Sequence, residues 1–184
     1  MAGSALPGSA PDLDRSRLLG SWYVLVTNHG FWKARTHPRI EHDALATGGS
    51  QRVRSSLRFR QIDMLGREQQ RVISGVEAID EQGVRTWRGE GVLRLVECRW
   101  SVPIVDPDHR WVVAWFDRTN LGMAAGLAIH TKDPWLPAAT VDTIVAKVEA
   151  HPFLGGVDAR GRRRCEGLRA TKQHWVPPEP YRLK

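Results

Sequence analysis

Leu18-Leu19-Gly20-Ser21-Trp22-Tyr23-Val24 decides the reading of this chain. Gly20 permits a tight turn onto the strand that Ser21 begins, and the Trp22 indole is large enough to plug one end of a barrel. A Gly-x-Trp triplet alone is a weak signal in a chain with 8 Trp and 17 Gly. Its weight comes from the order of the segments downstream. Strand-like segments run to about residue 131, then one amphipathic helix, then one closing strand.

Upstream, residues 1–11 are small and carry Pro, Ser and Gly, which predicts a flexible tail. Asp12 to Leu19 reads as one helical turn capped by Asp12 or Asp14. A strand from Ser21 to Thr27 leads into a long loop from Asn28 to Pro38. Arg39 to Ala46 alternates, with Ile40, His42, Ala44 and Ala46 on one face and Arg39, Glu41 and Asp43 on the other. Such alternation marks a strand with one wet face. After a turn at Thr47 to Ser50, Arg52, Arg54, Arg58 and Arg60 share one parity against Val53, Ser55, Leu57 and Phe59.

Arg71 to Ile79 sets Val72, Ser74, Val76 and Ala78 against Arg71, Gly75 and Glu77. Arg85 to Val96 reads as one strand, with Trp87, Gly89, Gly91, Leu93 and Leu95 in phase. Cys98, Trp100, Val102 and Ile104 continue on the next. Arg110 to Asp117 and Gly122 to Thr131 complete a barrel or sandwich pattern. In Pro137 to Ala150, Val141, Ile144, Val145 and Val148 form a helical stripe suited to the outer wall of a barrel, with Thr140 as the predicted N-cap.

The 184 residues fit one domain, predicted to span residues 12–178 between the N-terminal tail and a short tail at 179–184. No apolar run reaches the roughly 18 residues of a transmembrane segment. The first residues lack the basic start and apolar run of a secretory signal, so the cytoplasm is the expected compartment. Cys98 and Cys165 then read as reduced thiols. The net charge of +7 concentrates on the strand arginines and on Arg160, Arg162, Arg163 and Arg164. Neither cluster interleaves with aromatic residues or a recognition motif, so a solvated face is preferred over a specific nucleic-acid site.

This order resembles the lipocalins, in particular the bacterial ones, over roughly Arg17 to Pro178. Leu18 to Tyr23 is similar to the first conserved region of that family. Trp100-Ser101-Val102-Pro103-Ile104-Val105-Asp106 through Asp117 looks like the paired strands F and G, although Phe116-Asp117-Arg118-Thr119 departs from the Thr-Asp-Tyr-type motif. Ile129-His130-Thr131-Lys132-Asp133-Pro134 is similar to the Ile-Leu-Ser-Arg-Thr-Pro run before the helix in bacterial lipocalins, and Ala170 to Pro177 to the last short strand.

The resemblance implies a mainly β fold, a closed antiparallel eight-stranded calycin barrel with one C-terminal helix on its outer wall. It implies that Gly20 and Trp22 close the barrel base beneath a basic residue from the final strand, Lys172 with Arg169 as competitor. Fatty-acid-binding and nitrobindin-like barrels also carry a Gly-x-Trp, but the late helix argues against both.

With charged residues turned to water, the interior is predicted to consist of Leu57, Phe59, Val76, Trp87, Leu93, Trp100, Val102, Val113 and Trp115. That set suits a small hydrophobic molecule, or else packs a filled core. Phe31 and Trp32 would lie over the mouth as a lid, or anchor their loop to the rim. His42 is the titratable group expected inside, a candidate ligand contact and, if catalysis occurs, the first candidate general acid or base. His130 is a second, of undetermined parity. No histidine pair has metal-ligand spacing, no cofactor fingerprint is present, and nothing resembles a catalytic triad. The leading expectation is a lipocalin-like binder of a hydrophobic small molecule. The alternative is a barrel enzyme, an isomerase or cyclase that folds a polyene or polyketide-like substrate. The sequence leaves the oligomeric state open.

Overall fold

A computed structural model of the protein describes residues 6–45, 52–173 and 179–183. The expected turn at Thr47 to Ser50 and most of the closing segment after Gln173 lie outside the described residues. Among the described residues, nine strands form one antiparallel sheet: β1 (Gly20–Thr27), β2 (Thr36–Leu45), β3 (Arg52–Ile62), β4 (Glu68–Ile79), β5 (Arg85–Gly89), β6 (Glu97–Val105), β7 (Trp111–Phe116), β8 (Gly126–Thr131) and β9 (Arg169–Ala170). The order runs from β2 through β8 to β1, and β1 pairs back onto β2, which closes eight strands into a barrel. β1 bonds to β2 over Gly20 to Tyr23, and β9 pairs with Val26 and Thr27 further along the same edge. The described residues also form the single turn α1 (Gly30–Lys33) between β1 and β2, and α2 (Ala138–Ala150) after the barrel. Among the described residues no helix is long and apolar enough to cross a membrane.

Because successive strands are antiparallel, the segments after β1, β3, β5 and β7 share one end of the barrel, and those after β4 and β6 share the other. The second end is sealed. Trp22 is buried, donates its indole N–H to the Leu18 carbonyl at 2.7 Å, and lies under Lys132 Nζ, 4.1 Å from the ring centroid. Lys132 also donates to the Leu19 carbonyl at 2.7 Å. The basic residue over Trp22 is therefore Lys132 from the end of β8, and not Lys172 or Arg169. Lys172 instead bridges to Thr36, and Arg169 is exposed in β9. Gly20 has φ +90, a conformation that side chains other than glycine rarely adopt, which explains the Gly in Gly-x-Trp. The segment expected to be a tail is tied to this end from residue 9. Ser9 N–H donates to the Gln82 carbonyl, and Ala10 N–H to the Val102 carbonyl.

Two apolar clusters share the barrel wall. The inner one gathers Leu18, Trp22, Val24, Trp32, Ile40, Trp87, Trp100, Val112, Ala114 and Phe116. The outer one joins Leu25, Trp111, Val113, Trp115, Leu127 and Ile129 to Val141, Ile144 and Val148 of α2. The helix thus covers the outer wall with the stripe its spacing predicts. Its N-cap is Pro137 rather than Thr140, because the Thr140 and Val141 amides already bond to the Pro137 carbonyl.

Covering β7 on both faces reverses two inward assignments. Val113 and Trp115 face α2, while Val112, Ala114 and Phe116 face in. A break in register between Ser101 and Ile104 of β6 likewise turns Val105 inward and Ile104 outward. The single strand expected over Arg85 to Val96 ends at Gly89 and continues as a 3-10 turn over Gly91–Leu93.

Candidate functional site

The open end leads into a cavity of about 320 Å³. Its inner wall is built row by row from strand register: His42, Ser55, Gly75 and Gly89 are successive partners across β2, β3, β4 and β5. Two of the four carry no side chain because Trp87 and Leu93 pack directly on them. A Cβ on Gly75 would lie 2.3 Å from the Trp87 ring, and one on Gly89 2.4 Å from the Leu93 carbonyl oxygen. The row nearer the mouth, Ile40, Leu57 and Ile73, is aliphatic. At the mouth stand His29, Phe31, Trp32 and Arg35 of the β1–β2 connection and Leu121 and Met123 of the β7–β8 connection.

Of the residues expected to meet a ligand, Phe31, Trp32, His42, Leu57, Trp87 and Trp100 line this cavity. Phe59 is buried on the expected inner face but lies outside the lining, edge-on to Phe31 with ring centroids 5.5 Å apart and beneath Arg35. Val76 is on the opposite face of β4 from the cavity, since Ile73 and Glu77 line it. Val113 and Trp115 lie against α2, as above. Trp32 is buried and Phe31 packs on it at 4.6 Å, so these aromatics both roof the cavity and anchor their loop.

The reversal at Val76 has a physical source. Alternation alone puts Glu77 on the wet side of β4, but it is buried and ion-paired with buried Arg85 at 2.8 Å. A carboxylate is tolerated inside a protein when a cation and hydrogen-bond donors meet it. Ser55 Oγ donates to Glu77 Oε1, and the Trp100 side chain adds a further bond. His42 Nδ1 lies 2.8 Å from Ser55 Oγ. The His42 ring stacks on Trp100 at 5.8 Å, with Arg85 5.1 Å from the same indole. Arg85, Glu77, Ser55, His42 and Trp100 thus form one connected polar network inside the barrel. Sequence reading misses Arg85 and Glu77, although Arg85 shares its strand parity with Trp87, and Glu77 with Gly75.

Burial holds the His42 imidazole neutral, pushed down to about 3, and the Arg85 charge acts in the same direction. Burial raises the Glu77 carboxyl above its ordinary value, and Arg85 and Ser55 pull against that rise. Because a guanidinium does not deprotonate in proteins, a neutral Glu77 would strand a buried cation, so Glu77 is ionised at neutral pH. Burial also lowers His29 to about 4 and His130 to about 3. Both His29 ring nitrogens, Trp87 Nε1 and His130 Nε2 are buried without a hydrogen-bond partner among the described residues. Cys98, at the cavity wall, is pushed up to about 12 by burial and is an inert thiol. No group of three or more His, Cys, Asp or Glu among the described residues could hold a metal ion.

No family model matches the chain, and no curated protein does. Solved structures do. Lobster apocrustacyanin A1 superimposes with a TM-score of 0.56 at 15% identity, covering 90% of this chain and 82% of that one. Apocrustacyanin C2 gives 0.55 at 14%, covering 94% and 93%. H1 crustacyanin from the lobster Homarus americanus gives 0.52 at 15%, covering 91% and 90%. At such identities the likeness concerns the fold alone, here a closed eight-stranded barrel with a helix after the last barrel strand. The chain has the lipocalin fold.

Proposed function

We propose that this protein binds a small hydrophobic molecule inside its barrel without transforming it. The observation that carries the reading is the cavity of about 320 Å³, lined by Ile40, Leu57, Ile73, Trp87, Trp100 and Phe116 and open between the loops. That volume lies at the lower end of the range for small-molecule sites, which are mostly apolar with few polar groups. The low proton affinity of His42 supports binding over proton transfer, because a general base works best with a pKa near the working pH. The free thiols of Cys98 and Cys165 support a reducing compartment such as the cytoplasm.

A second reading keeps the same cavity as a barrel enzyme, an isomerase or cyclase that orients a polyene or polyketide-like substrate. The carboxylate–hydroxyl–imidazole chain of Glu77, Ser55 and His42 favours it, since buried charges gathered at a cavity mark functional sites.

Titration with fatty acids, retinoids and polycyclic aromatics, followed by tryptophan emission, tests the first reading, because Trp87 and Trp100 line the space. A saturable change for at least one class is expected. No change for any class sinks it. Chromatography of the molecule released after incubation with host extract separates the two readings, since a carrier returns its ligand unchanged, whereas an isomerase or cyclase returns an isomer of the same mass and different retention.

A further inference from the structure

The polarity of every hydrogen bond in the buried network is set by one fixed charge. Arg85 is always protonated, and its partner Glu77 is therefore a carboxylate, which only accepts. Ser55 has a single O–H, and it is given to Glu77 Oε1. The Ser55 oxygen can then only accept from His42, so the hydrogen of the neutral imidazole sits on Nδ1. Nε2 is left with its lone pair, and no described residue donates to it. The ring lines the cavity beside Trp100, next to aliphatic Ile40 and Leu57.

We infer that the cavity selects apolar molecules bearing a hydrogen-bond donor, such as an alcohol, at their inner end, and that His42 Nε2 accepts that hydrogen. The inference rests on the cavity being a ligand site and adds the polarity of what it takes. A ketone or ether of the same skeleton brings lone pairs against a lone pair and leaves a buried acceptor unmatched, which is costly in a dry site. Ser55 is a positioning residue here. Its bond locks the tautomer, and without it the imidazole could move its hydrogen to Nε2 and accept the opposite ligand class.

The test uses two skeletons, each as alcohol, ketone and methyl ether: β-ionol with its partners and 1-decanol with its partners, followed by tryptophan emission. On whichever skeleton binds, the alcohol is expected to bind about tenfold tighter than the ketone or ether, the scale of one matched buried hydrogen bond. His42→Phe should bring the three within about twofold while keeping apolar affinity, and Ser55→Ala should shift preference toward the ketone. A purely structural role for Ser55 would lower all three together and counts against the inference. Equal binding of the three by the unmodified protein overturns the donor selection and leaves the hydrophobic-binding reading intact. Silence from all six overturns the donor selection, and silence from the fatty acids, retinoids and polycyclic aromatics as well overturns both. Should His42→Phe fail to fold, ring ¹⁵N shifts of His42 in the unmodified protein decide: a hydrogen on Nδ1 supports the assignment, and one on Nε2 overturns it.

Discussion

The seal and the cavity of this barrel are made by the same strands and obey different rules. At the sealed end the polar atoms that carry the closure are matched: Trp22 N–H to Leu18, Lys132 to Leu19, and His109 Nε2 receiving the Asp14 amide at 2.9 Å. Above that seal, His29 and Trp87 keep buried nitrogens without partners among the described residues, the Arg85–Glu77 salt bridge lies at the inner end of the cavity, and the Trp87 ring and the Leu93 backbone pack directly on two glycines. The sealed end is built for stability. The cavity above it gives up local satisfaction for room and for fixed polarity, the kind of departure from ordinary folding rules that marks functional regions.

Acid should expose this difference most strongly. His29, His42 and His130 belong to the interior above the sealed end and have folded values of about 4, 3 and 3, below the ordinary 6.5. Between those limits the unfolded chain binds protons that the native state refuses. Their contribution to stability is complete above pH 6.5 and declines as pH falls toward the folded values. Each should remove about 2 kcal/mol between pH 6.5 and 5. Urea unfolding at pH 7 and pH 5 measures it, and equal midpoints would show that the interior histidines are not held neutral.

At the sealed end, Trp22→Ala should cost about 3–5 kcal/mol, as for other large buried aromatics. Ligand affinity in the fraction that remains folded should be unchanged. An unaltered melting curve would remove Gly20-Ser21-Trp22 from its closing role.

At the inner end of the cavity, Arg85→Met should cost about 3–5 kcal/mol by leaving Glu77 charged and unpaired, whereas adding Glu77→Leu should restore most of it. Additive losses in the double variant would contradict the buried pair. The smallest effect sharpens the boundary between seal and cavity. Lys132→Gln should cost about 0.5–2 kcal/mol through the indole face, while Lys172→Gln should fall within about 0.5 kcal/mol of neutral. The reverse ranking would return the closing role to the last strand.

Much of the architecture is legible because it repeats locally. Val141, Ile144 and Val148 announce the covered face of α2, and Ile40 with His42 announces the inner face of β2, since in each a polar set faces the apolar one. β7 offers no such contrast. Trp111 to Phe116 is buried on both sides, so its six residues carry no parity, and only the seating of α2 decides which three line the interior. Lys132 escapes the sequence reading because the resemblance points to the last strand, while the distance that matters is spatial.

What the sequence alone determined is therefore the barrel, its Gly-x-Trp closure, the helix on its wall and the inward placement of His42. These depend on period, turn chemistry and side-chain size within one stretch of chain. Tertiary structure alone decided that Glu77 and Arg85 lie inside, that Val76, Val113 and Trp115 do not line the cavity, and that Ser55 sets which His42 nitrogen carries the hydrogen. The physical reason is that the cost of burying a charge or fixing a tautomer is met by partners on other strands. Period along one strand carries no record of what its neighbours supply.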